Sequence, residues 1–214
     1  MQRYLIPFVC VLLCAAVLGA GCTSSSGAQA AVTPAATVSS AGLSSLALTP
    51  ADMPDGSVVV SAKEKTADDV SSMAKDLGWQ GGYVTEYTLP SNSTTPTTVT
   101  HSIAYYAGRN MSDMVPLISN NERQDKSLVF SELTPTATGP YTRTFAAAAN
   151  VTSSTTSAIT TNAMGITSES VSPEGYIETV FGKGEIVEVI RIAGHGAQYD
   201  TLTALAQTAY SKLE

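Results

Sequence analysis

Apolar and polar positions recur along this chain with two periods, and the changes between them mark out its elements. Tyr4 to Ala20 follows neither period: it is an uncharged, mostly apolar run broken only by Pro7 and preceded by Arg3. A charged start, a short apolar middle and small residues at the end form the pattern of an export signal. The run also falls short of the roughly 20 apolar residues that span a bilayer. Thr23 to Ser45 is uncharged and rich in Ser, Ala, Thr and Gly, with Pro34 as its only proline. Such a stretch buries too little apolar surface to fold, which predicts a flexible tether.

Folded patterning starts at Leu46. Thr49 is placed to cap a single turn with Pro50 at its first position, and Pro54 ends it. Ser57 to Ala62 is a β-branched strand. Thr66 with Asp69 makes a capping box, after which Val70, Met73, Ala74 and Leu77 recur at helical spacing up to Gly78. Gly81–Leu89 and Val99–Ala107 alternate as strands across a polar loop from Pro90 to Pro96. Asn110 or Ser112 opens a helix with Met111, Met114, Val115 and Ile118 on one face, and Pro116 is expected near its first turn. Leu128–Leu133 and Tyr141–Val151 are further strands, followed by a Ser/Thr-rich stretch that suits a loop or an edge strand with a short helix.

The end of the chain is the most regular. Tyr176–Phe181 and Glu185–Ala193 form a hairpin through Gly182-Lys183-Gly184. After Gly194-His195-Gly196, a helix carries Tyr199, Leu202, Leu205, Ala206, Ala209, Tyr210 and Leu213 on one stripe. Strand, turn and helix therefore recur at 57–77, 99–122 and 185–213, without shared sequence. The pattern predicts an α+β fold: a single compact domain, mainly antiparallel sheet with about three packed amphipathic helices. The expected organisation is a lipoprotein-type signal peptide at 1–21, a tether at 22–45 and an extracytoplasmic domain at 46–214.

Charge removes several functions from consideration. The net charge is −7, and the basic residues are scattered with no run of Lys or Arg. A nucleic-acid partner needs a basic footprint, and anionic head groups need the same. The three cysteines, Cys10, Cys14 and Cys22, all lie in or at the end of the leader. The domain itself therefore has no thiol for a disulfide, a zinc site or a nucleophile.

The leader ends Leu18-Gly19-Ala20-Gly21-Cys22, which resembles a lipobox with Gly19 where a large apolar residue is usual. Acylation of Cys22 would hold the protein to the outer face of the cell membrane, making the membrane its first partner. The alternatives are an ordinary cleaved signal, or an uncleaved anchor with an incidental cysteine.

Candidate chemistry in the domain is sparse. His101, among hydroxyl residues at the start of a strand, reads as a surface histidine. His195 lies between two glycines before the last helix, which suits either an anion held by bare amides or a simple glycine turn. Glu178, Glu185 and Glu188 with Arg191 suit cross-strand ion pairs on a solvated hairpin face. Trp79 sits among glycines, with Tyr83, Tyr87, Tyr105 and Tyr106 on the strands that follow. Trp79, Tyr83 and Tyr105 could line an aromatic groove, or could simply pack the core. Asn92, Asn110 and Asn150 each head an Asn-x-Ser/Thr triplet and are candidate glycosylation sites. The sequence contains no serine elbow, phosphate loop, dinucleotide fingerprint, zinc spacing or calcium loop, so no cofactor or metal is expected.

Leu48-Thr49-Pro50-Ala51-Asp52-Met53-Pro54 resembles the opening of uncharacterised exported lipoproteins of methanogenic archaea. It is similar, more weakly, to the start of sensor-like extracellular domains in actinobacterial lipoproteins. Asp76-Leu77-Gly78-Trp79 and the terminal hairpin with its helix fit that resemblance, which implies export but no known activity. The expected function is a lipid-anchored, non-enzymatic envelope domain that binds a small ligand or another envelope component. A hydrolase assembled from dispersed residues such as His195 and Glu178 is one alternative, and a structural surface protein is the other.

Overall fold

Seven antiparallel strands form one sheet whose two faces carry different cargo. The computed structural model of the chain describes residues 40–91, 95–136, 138–149, 160–161, 167–168 and 175–214. Cys22, most of the tether, Asn92 and Asn150 lie outside the described residues, and those described belong to one unit, 37–214. The elements are α1 (Ser40–Leu43), β1 (Val58–Lys65), α2 (Ser72–Asp76), β2 (Trp79–Leu89), β3 (Thr97–Tyr106), α3 (Met111–Glu122), β4 (Leu128–Glu132), β5 (Thr142–Ala149), β6 (Thr160–Thr161), β7 (Thr167–Ser168), β8 (Tyr176–Lys183), β9 (Ile186–Ala193) and α4 (Tyr199–Ser211). The sheet order is β1-β2-β3-β9-β8-β5-β4, with β6 and β7 as a separate pair. The fold is α+β, as the alternation of strand and helix patterns predicts.

Two meanders, β1-β2-β3 and β4-β5-β8-β9, meet where β3 pairs with β9, from Thr98 opposite Ala193 to Tyr105 opposite Ile186. Period-two alternation sorts the side chains of these central strands. Val99, His101, Ile103 and Tyr105 of β3 point to one face, which buries Ile177, Phe181, Ile190 and Ile192 against Leu202, Leu205, Ala206 and Ala209 of α4. On the opposite face Phe145, Val180 and Val187 pack under Met111, Met114 and Val115 of α3. Each of the larger buried side chains contributes roughly 1.5–3 kcal/mol. Helices therefore pack on both faces of the central strands.

Four local findings differ from the sequence expectation. The Thr66 capping box closes only the turn Ala67–Asp69, Val70 is extended, and α2 starts separately behind Ser71. Packed chain begins before residue 46: Ser40–Leu43 and Ser44–Leu46 are helical, and Leu43 is fully buried with Ala47, Ile103 and Tyr105. The terminal hairpin turns at Gly184-Glu185, with Lys183 opposite Ile186. Gly184 supplies the positive φ (63°) of that turn, while Gly182 stays inside β8. A Cβ on Gly182 would stand 2.7 Å from Sδ of Met111, so the glycine is needed for the approach of α3. Pro116 lies in the interior of α3 rather than near its first turn, and the helix continues through it to Glu122.

The segment before β1 is tied to the rest at three points. Lys212 Nζ donates to the Ala47 carbonyl at 2.8 Å and to Asp52 at 2.7 Å. Tyr87 donates its hydroxyl to the Leu48 carbonyl at 2.5 Å. Thr49 and Asp52 close the capping box expected from their spacing.

Candidate functional site

On the α3 face the sheet is incompletely covered. Ser71 accepts the Ala74 amide at 3.2 Å to start α2, and Gly78, at φ 87°, follows it closely. So short a helix cannot roof the floor between itself and α3. The floor consists of half-buried Ser102 and Ala104 of β3 and Val189 of β9 with buried Val187, all pointing to this face by alternation. Small side chains on β3 leave depth there, and a groove results.

The groove has two adjoining lobes of about 250 and 230 Å³ that share Lys65, Ser102, Glu122 and Val189. The first is lined by apolar and polar groups alike: Val70, Met73 and Ala74, Ile118, Trp79 and Tyr106 form its apolar part, and Asp69, Ser71 and Asn121 add polar groups to those it shares with the second. The second is polar, with Thr100, Ser102, Lys65, Glu122, Glu178 and Arg191.

Glu178 and Arg191 are directly opposite in the β8–β9 register. Arg191 Nε donates to Glu178 Oε2 at 2.6 Å, and its Nη2 donates to Glu122 Oε2 at 2.7 Å. The guanidinium also lies 4.1 Å from the Tyr176 ring centroid, a cation–π contact. Glu178 is fully buried, and its Oε1 has no hydrogen-bond partner among the described residues. Burial pushes this carboxyl up to about 7, against the pull of Arg191.

Lys65 is half-buried and donates to Ser102 Oγ at 2.7 Å. Burial lowers its pKa, while the more distant Glu122 and Asp69 partly oppose that shift. No carboxylate among the described residues forms an ion pair with it. Trp79 Nε1 is buried and has no hydrogen-bond partner among the described residues. The groove thus holds a buried acceptor and a buried donor left unsatisfied, each costing about 1–3 kcal/mol.

The residues singled out from the sequence are dispersed. Trp79 lines the groove. Tyr83 and Tyr105 belong to the opposite face, beside Leu43 and Ile103, and Tyr105 donates to Glu185 at 2.8 Å. His195 is exposed in the turn before α4. The amides around it are occupied: Gly194 donates to the Gly175 carbonyl, Gly196 to Thr97 Oγ1 and Ala197 to the Gly194 carbonyl. Asn110 is exposed and accepts the Ser112 amide as the cap of α3.

Two expectations are corrected. His101 is fully buried rather than a surface histidine: its Nδ1 accepts the Leu48 amide at 3.1 Å and its Nε2 donates to Glu188 Oε2 at 3.0 Å. Glu178 and Glu188 do not lie on a solvated hairpin face, because helices cover both faces of β8 and β9 and both carboxyls are fully buried. The histidine that meets a carboxylate is therefore in the core, away from the groove. Arg191 makes the cross-strand ion pair with Glu178 that the hairpin sequence suggests, while Lys65, Ser102 and Glu122 emerge only from the structure. The sequence signal that points to them is the small, polar side of β3, Thr98-Thr100-Ser102-Ala104, facing away from an apolar side.

Among the described residues no three His, Cys, Asp or Glu side chains group to hold a metal ion, and no helix is long and apolar enough to cross a membrane. The sequence matches no protein-family model, and no curated protein matches it. Among solved structures, the fold is similar to the extracellular domain of PknH from Mycobacterium tuberculosis. The TM-score is 0.52 at 8% identity, covering 82% of this chain and 96% of that one. At that identity the likeness is one of fold.

Proposed function

We propose that this protein is an extracytoplasmic, non-enzymatic binding domain whose groove between α2 and α3 holds a small ligand. The observation that carries the proposal is the pair of buried, unpartnered polar atoms in the groove lining, Glu178 Oε1 and Trp79 Nε1. A bound molecule that paired with them would recover their desolvation cost. The likeness of fold to a domain described as extracellular supports the location. In the same proposal the chain is attached to the membrane by lipid at Cys22, with the Ser/Ala/Thr-rich stretch as its tether.

Native mass spectrometry of the full chain, taken from its own membrane, tests both parts. A mature N-terminus at Cys22 carrying acyl mass is the expected outcome, together with a small molecule that is lost in Val189→Trp. Val189 is a half-buried apolar floor residue common to both lobes. Retention of Met1, or cleavage at another residue, would remove the lipid anchor. A ligand unaffected by Val189→Trp would remove the groove.

A further inference from the structure

We infer that the groove recognises a small zwitterion with an apolar side group, of the class of apolar α-amino acids; this rests on the groove being a binding site. With Glu178 ionised, the polar lobe is balanced in charge: Lys65 and Arg191 stand against Glu122 and Glu178, with Asp69 in the lining of the neighbouring lobe. A lone anion would face both carboxylates, and a lone cation would face both basic groups. A molecule bearing one charge of each sign avoids both conflicts.

The unused hydrogen-bonding capacity points the same way. Lys65 spends one donor on Ser102 and forms no ion pair among the described residues. Its remaining protons suit a carboxylate. Arg191 spends Nε on Glu178 and one proton of Nη2 on Glu122, leaving N–H groups for the same carboxylate. Glu178 Oε1 is a buried acceptor with nothing to accept, which suits an ammonium. Next to these groups, the first lobe offers Val70, Met73, Ile118 and Val187 to an apolar substituent. Each lobe lies just below the pockets of about 300–1,000 Å³ that hold drug-sized ligands, which leaves room for a small molecule.

Glu178 also supplies a readout that a purely apolar contact would not. The ammonium meets an ionised Glu178, so the proton this carboxyl carries below about 7 must leave on binding. Arg191, Glu122, Tyr176 and Lys65 are the charged and titratable groups that surround it, from β9, α3, β8 and β1.

Calorimetry of the full chain with L-leucine, L-phenylalanine and the other apolar amino acids tests the inference. Isocaproate and isoamylamine, which keep one of leucine's two charged groups, are the controls. At least one apolar amino acid is expected to bind while both controls fail, with about one proton released per ligand at a pH below 7. Lys65→Met and Glu178→Gln should each weaken binding by about tenfold or more. Lys65→Met keeps the test sound if Glu178→Gln perturbs folding, because Lys65 forms no ion pair among the described residues for the change to break.

Binding of isocaproate or isoamylamine as tight as that of leucine would overturn the zwitterion inference. So would the failure of every amino acid. If amino acids fail but Val189→Trp expels some other small molecule, the groove stands as a binding site and only its ligand class is wrong. If neither happens, both readings fall.

Discussion

His101 and Glu188 share a hydrogen bond of 3.0 Å inside the core, 87 residues apart in sequence, and the Leu48 amide decides its polarity. Leu48 donates to Nδ1 at 3.1 Å, so the single proton of the neutral ring belongs on Nε2, which donates to the carboxylate. The pair thus ties the segment before β1 to β3 and β9. His101→Ala would strand the Leu48 amide and bury Glu188 without a partner, at an expected cost of about 3–5 kcal/mol. Glu188→Gln keeps an acceptor for Nε2 and removes the buried charge, so it should lie within about 1 kcal/mol of the parent or above it. Denaturant unfolding of the two variants checks this; equal damage from both would mean that the charge itself stabilises the core.

Glu178 should make stability fall as pH rises. Its carboxyl is raised from 4.5 to about 7 in the folded protein, so over that window the folded chain holds a proton the unfolded chain has released. The contribution is full below 4.5 and is lost as pH rises through about 7. Its size is on the order of 3 kcal/mol. Glu188, also raised by burial, adds a slope of the same sign. Unfolding free energies measured between pH 5 and 8 should show the decline, and Glu178→Gln should flatten it. An unchanged slope in that variant would place the titration elsewhere.

Trp79 is the chain's only tryptophan and lines the groove, so its emission reports directly on occupancy. Ligand that pairs with Nε1 should shift or quench the fluorescence in proportion to binding. Trp79→Phe removes a buried donor that has no partner among the described residues. Its loss of stability should therefore be smaller than the 3–5 kcal/mol of a large aromatic truncated to alanine, while ligand affinity drops. Fluorescence unaffected by a ligand that calorimetry detects would put that ligand outside the groove.

Leu43 lies in a stretch with the composition of a tether, yet it is fully buried beside Ile103 and Tyr105. Leu43→Ala should cost about 2–5 kcal/mol, as for other core leucines. A loss below 0.5 kcal/mol, the range of ordinary surface substitutions, would place the start of the packed chain after α1.

Periodicity made most of the fold legible. The stripe of α4, the Thr49 capping box and the strands of the terminal hairpin appear where their spacing places them, whereas the Thr66 box closes a single turn and leaves the start of α2 to Ser71. The turn of that hairpin does not, because two glycines compete for it: Gly184 is taken by backbone geometry, and Gly182 by the approach of Met111. Nothing local in the sequence distinguishes those two demands.

For the site, the sequence by itself determined that the domain carries no thiol, no basic footprint and no contiguous catalytic motif. Those are properties of which residues exist and how they are spaced. The pairing of β3 with β9 decided the rest. It put Glu178 and Arg191 on one face under α3, with Lys65 brought near from β1, and put His101 with Glu188 on the other under the opposite layer. Alternation along a strand tells which residues share a side, but not which side is covered, or by what. Burial therefore stayed invisible for both carboxylates. It is burial, set by the placing of α2, α3 and α4, that converts an apparently solvated acidic hairpin into a core hydrogen bond and a groove with an unpaired acceptor.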